Sequence, residues 1–62
     1  MIAILNGGKN DGAKMRVAND TYRIEVPIKN NKADVLETET YAIFETELIG
    51  DEAVAQFVLT EA

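Results

Sequence analysis

Two glutamates spaced two residues apart, Glu45 and Glu47, are the nearest approach in this chain to an acid–base pair. On a strand they would share one face, about 7 Å apart at roughly 3.3 Å per residue. Paired carboxylates cleave glycosidic bonds when they flank a substrate cleft, and a chain of 62 residues leaves little room for one. The run Gly7-Gly8-Lys9 is a second candidate, because glycine-rich turns can turn backbone N–H groups toward a phosphate. A P-loop needs G-x-x-x-x-G-K-[ST] between a strand and a helix. Counted from Gly7, the second glycine is Gly12, but Ala13 follows it, so the run reads as a hairpin turn. Asn10 and Asp11 offer oxygens to a cation without the spaced acids of a calcium loop. Tyr22 and Tyr41 are of the type enriched at binding hot spots, although alternating strand positions first suggest half-buried core places. The chain has no His, Ser, Cys or Trp. That removes imidazole and thiolate ligands, disulfides and the Ser–His and Cys–His nucleophile pairs. The expectation is a non-enzyme with no catalytic residue, no metal and no cofactor.

The elements that would carry these residues read as strands and turns. An all-β domain over residues 1–62 is expected, a small antiparallel sheet or partly open barrel of four to five strands. The strands fall near 2–6, 13–17, 22–28, 38–49 and 53–61. The opening Met1-Ile2-Ala3-Ile4-Leu5 is apolar, lacks a basic lead and meets Asn6-Gly7-Gly8 at once, so it reads as a strand rather than a signal peptide. Asp11-Gly12 marks a turn. Residues 13–17 alternate, with Ala13, Met15 and Val17 on one side and Lys14 and Arg16 on the other. Residues 18–21 form a second turn. Tyr22, Ile24 and Val26 then face in, and Pro27 marks an edge because it cannot donate to a ladder. Residues 29–32 read as a polar loop, and the stretch near 32–37 reads either as one helical turn after an Asn31 cap or as a mobile excursion. From Thr38 onward Thr40, Ala42, Phe44 and Leu48 share one face, while Glu39, Tyr41, Ile43, Glu45, Glu47 and Ile49 share the other. Thr, Tyr, Ile and Phe favour strand over helix there. Gly50-Asp51 or Asp51-Glu52 turns the chain into the last strand.

That C-terminal hairpin shows apolar residues on both faces. One short chain can cover only one, so a second copy is expected to cover the other, most simply in a two-fold dimer. Tyr41, Ile43, Val54 and Val58 are the expected interface.

Charge is divided along the chain. Residues 1–32 hold six cations against three acids, a net +3. Residues 33–62 hold eight acids and no cation, a net −8. Such an acidic half reads as a solvated face that keeps a small protein soluble, as a surface for a basic protein partner, or as one side of a basic–acidic pairing between copies. If a partner binds, Glu37, Glu39, Glu45, Glu47, Asp51 and Glu52, the densest part, are the expected contact. A chain of net charge −5 with scattered cations is not expected to bind nucleic acid directly. No apolar run nears the roughly 20 residues of a membrane helix, so a cytoplasmic protein is expected.

The strand at 2–6, Gly7-Gly8-x-x-Asp11-Gly12, the short strand ending at Val17 and the Tyr-x-x-x-Val-Pro segment at 22–27 together resemble a family of small phage and prophage proteins. Those begin strand–GG-P-x-DG-like turn–strand, carry a variable insert and end in a hairpin; Lys9 stands where Pro is common. The resemblance covers residues 2–27 and, loosely, the terminal hairpin. It transfers no catalytic residue. It implies a phage-encoded protein in the host cytoplasm that binds and inhibits a host protein, such as a defence component. A virion or assembly protein, or a small-ligand module with pockets between protomers, are the alternatives.

Overall fold

The computed structural model describes residues 1–30 and 35–61, without the side chains of 29, 30, 35, 36 and 45–47. It is all strand: β1 (Ile2–Asn6), β2 (Lys14–Arg16), β3 (Arg23–Asn30), β4 (Val35–Ile49) and β5 (Glu52–Glu61). They form one curled sheet, a half-barrel, in the order β2-β1-β5-β4-β3. The all-β reading holds, with one correction. The sheet is mixed, because β1 and β5 run parallel at its centre, Ala3 beside Ala53 and Leu5 beside Ala55. Parallel neighbours need a long crossover, here supplied by β2, β3 and β4. Alternation predicts which residues face in, but it carries no information on strand direction.

Curvature follows from connectivity. Only residues 17–22 join β2 at one edge to β3 at the other. Stretched, six residues reach about 20 Å, roughly the span of four interstrand gaps in a flat sheet. The link is not stretched, since Thr21 N–H donates to the Ala18 carbonyl at 3.1 Å in the turn expected there. The edges must therefore approach, and Val17 packs on the core from this link.

The interior holds Ala3, Leu5, Ile24, Tyr41 and Ala55, with Val17, Val26 and Ile43 against them. Ala53 is fully buried too. Small and large residues alternate as in narrow barrels, and the Tyr41 ring occupies the interior beside these alanines. It meets Phe57 edge-on, with centroids 5.7 Å apart at 71°.

Two irregularities redirect the hairpin. Thr40 pairs with Leu59 and Tyr41 with Phe57, so Val58 is an extra residue in β5. Ile43 pairs with Ala55 and Leu48 with Ala53, so residues 44–47 of β4 oppose Val54 alone. An odd offset swaps faces beyond it. Leu48 therefore stands on the inner side with Ile43, and Ile49 on the outer, the reverse of the simple alternation. The apparent second apolar face of this hairpin arises partly from counting through these bulges.

Val35, Leu36 and Glu37 belong to β4 rather than to a helical turn; residues 32–34 of that expectation lie outside the described residues. β5 ends opposite Thr38, so β3 and β4 run on beyond it as a two-stranded arm. The molecule measures 40 × 18 × 16 Å. Among the described residues no helix is long and apolar enough to cross a membrane.

Both open edges are guarded. Ile43 N–H donates to the Tyr22 carbonyl, which sets Ile24, Val26 and Ile28 to bond β4 and leaves the backbone of Arg23, Glu25 and Pro27 facing outward. Pro27 thus sacrifices no ladder bond and removes a donor from the free edge. β2 is only three residues long, two of them cations.

Candidate functional site

The Gly-rich turn and the acidic strand, read separately in the sequence, meet in one site. The segment between β1 and β2 folds over the end of the concave face where Glu39 and Tyr41 stand. Asp11-Gly12 turns the chain as expected, with Ala13 N–H on the Asn10 carbonyl at 3.0 Å and Gly12 at φ +87°. Before that turn, Asp11 Oδ1 accepts the Gly7 N–H at 2.6 Å. This geometry points the next amides inward, and their acceptor is the Glu39 carboxylate. Lys9 N–H donates to Oε2 at 2.8 Å. Asn10 donates to Oε1 twice, from the backbone at 3.2 Å and from Nδ2 at 2.7 Å. The Tyr41 hydroxyl lies 2.9 Å from Oε1 and 2.8 Å from the Gly7 carbonyl, so its single proton serves two acceptors. The loop does cradle an anion through backbone amides, and that anion is a side chain of the same protein.

Glu39 is 1% exposed and Tyr41 fully buried. A buried carboxylate requires this many donors. Burial is the largest single influence on Glu39 and pushes its pKa up; the hydrogen bonds from Lys9, Tyr41 and Asn10 together outweigh it and hold the group below its ordinary 4.5. Tyr41 is pushed above its ordinary 10.0, first by burial, then by its bond to Glu39 and that group's charge. Gly8 sits directly above. A Cβ there would lie 2.8 Å from Phe57 and 2.7 Å from the Tyr41 hydroxyl, and would collide with Glu39 Oε2.

Among the other acids with described side chains, Glu37 lies at one end of β4 and Asp51 and Glu52 at the other. Glu37 is partly covered and lies 4.0 Å from Lys9 Nζ. Asp51 and Glu52 are exposed at the far end of β4. The side chains of Glu45 and Glu47 lie outside the described residues. Glu39 faces the loop, so its place in the expected partner-facing row is corrected. The expected dimer surface is corrected likewise. Tyr41 is core, Ile43 packs on that core, Val54 faces outward and Val58 is an exposed bulge residue, so the four share no single face.

At the opposite end of the half-barrel lies a groove of about 190 Å³. Tyr22, Ile43 and Leu48 form its apolar walls, and Met1, Asp20 and Thr21 contribute to its rim. The Met1 amino group is already engaged, donating to the Val17 carbonyl at 3.0 Å and to Asn19 Oδ1 at 2.9 Å. Tyr22 is 75% exposed, and Leu48 is also open to solvent. The Asp51 carbonyl accepts the Ile2 N–H, which brings Asp51 and Glu52 to this same end. No protein-family model, curated protein or solved structure matches the chain significantly.

Proposed function

We propose that this chain is a non-catalytic interaction protein that docks on a basic host protein through the groove end of the half-barrel. The observation that carries this reading is the exposed apolar wall of Tyr22 and Leu48 beside Asp20, at the end of the half-barrel that also carries the exposed Asp51 and Glu52. An apolar anchor with a charged rim is the usual anatomy of a protein contact. The resemblance of residues 2–27 to phage proteins adds the biological role, inhibition of that host protein by occupying its surface.

The test is retention of host proteins from lysate by the chain and by two variants. Leu48→Glu should abolish retention of the specific partner, and reversing Asp51 and Glu52 to Lys should weaken it. Rising salt should weaken it too, because complementary charge is screened over about 8 Å at physiological strength. Retention indifferent to both variants would refute the groove as the contact.

A homodimer is the second reading. The accessible surface is 4482 Å², against about 4000 Å² for a compact monomer of this size. Light scattering decides it: a monomer at low micromolar concentration removes the dimer.

A further inference from the structure

The loop over Glu39 has few other ties to the sheet. Among the described residues, the bonds that bring 7–10 down onto β4 are those of Lys9 and Asn10 to the carboxylate, the Tyr41 hydroxyl on the Gly7 carbonyl, and the long Lys9–Glu37 contact. Gly7 is otherwise bonded to Asp11 within the loop itself. The loop covers Tyr41 and one side of Phe57, against which Gly7 and Gly8 sit.

We propose that loop 7–10 is a latch bolted by the Glu39 carboxylate, and that loss of the carboxylate charge releases the loop and uncovers Tyr41 and Phe57 while the five-stranded sheet stays folded. The chemistry is a matter of donors and acceptors. Both oxygens face N–H donors, Lys9 at Oε2 and Asn10 at Oε1. In Gln the amide NH₂ takes one of these places and a loop donor meets a donor. In the protonated acid the hydrogen can turn to the Tyr41 oxygen, but the charge that strengthens the bonds from Lys9 and Asn10 is gone.

The groups facing Glu39 offer no substitute. On the loop, the Lys9 ammonium reaches toward Glu37 and the Asp11 carboxylate is held by Gly7. On β4, Glu37 and Tyr41 flank it. On β3, Val26 lies opposite with Glu25 beside it, and Glu25 pairs with Arg23 at 3.4 Å. On β5, neutral Thr60 is its ladder partner, with Glu61 next along the strand.

Amide exchange by NMR tests the latch. In Glu39→Gln at neutral pH, protection at Lys9 and Asn10 should fall at least about tenfold, the scale of losing a charge-assisted hydrogen bond. Amides of β1 and β5 should keep theirs. In the unmodified chain, acidification should produce the same split, and acrylamide should quench Tyr41 more strongly at low pH in a Tyr22→Phe background. Unchanged protection at Lys9 and Asn10 in Glu39→Gln overturns the proposal. So does loop and sheet protection vanishing together on acidification, a readout that stands even where the variant does not fold.

Discussion

Removing one hydroxyl from the core should expose how much the loop clasp contributes. Tyr41→Phe keeps the ring against Phe57 but deprives the Gly7 carbonyl and Glu39 Oε1 of their shared donor. A cost of about 1–3 kcal/mol in urea unfolding is expected. The two ionisable partners set opposite pH limits. Glu39 titrates lower in the folded chain, so its contribution is complete above the ordinary 4.5 and is lost as pH falls through the depressed folded value. Tyr41 titrates higher when folded, so its contribution is complete below 10.0 and is lost as pH rises through the elevated folded value. Glu39→Gln should flatten the acid side of the stability profile and leave part of the alkaline side. A Gln variant that loses stability on acidification as steeply as the unmodified chain would contradict this. Glu39 was half legible in the sequence. Its parity with Tyr41 and Ile43 was legible, but that face was expected to meet a second copy rather than line the core, and its charge suggested solvent. What decides is the supply of amide donors across a separation of about thirty residues, which no local pattern encodes.

Strands and turns followed their local chemistry closely. β1 matches expectation residue for residue, the Asp11-Gly12 and 18–21 turns form, and Gly50-Asp51 closes β4 onto β5. Faces beyond Ile43 were not legible, because a four-against-one bulge leaves no mark on composition. Two element-level substitutions test the geometry. Gly8 and Gly12 both have positive φ, but an added Cβ at Gly12 meets nothing within 4 Å, whereas at Gly8 it strikes Tyr41, Phe57 and Glu39. Gly12→Ala should cost about 1 kcal/mol from backbone conformation alone. Gly8→Ala should cost clearly more and weaken amide protection at Lys9; equal losses would mean that the loop does not rest on those side chains. At the free edge, Pro27→Val should leave the β3–β4 ladder intact yet restore an outward donor. Concentration-dependent aggregation is then expected by light scattering, and a variant as soluble as the parent would show that the edge is protected by something else.

Taken whole, the molecule is long for its mass. A half-barrel holds the packed interior, and a ribbon of β3 and β4 extends beyond the end of β5. With Ala3, Ala53 and Ala55 all buried in so narrow an interior, Ala55→Leu should overpack against Leu5 and Tyr41 and cost about 1–3 kcal/mol, measured by thermal or urea unfolding. Stability unchanged or raised would indicate an unfilled void beside Tyr41.

The parallel contact of β1 with β5 also governs how the chain can fold. Asn6 Nδ2 donates to Gln56 Oε1 across 50 positions of sequence, and among the described residues β1 pairs with β2 and β5 alone. The β3–β4 hairpin can zip from local sequence, but β1 has only the three-residue β2 to pair with until β5 has been made. Its other edge and its buried face wait for the far end of the sequence. High contact order of this kind slows folding relative to local hairpins, so a single slow phase is expected in stopped-flow refolding. A fragment ending before β5 should remain unstructured at β1, and supplying a peptide of residues 52–61 should restore order there.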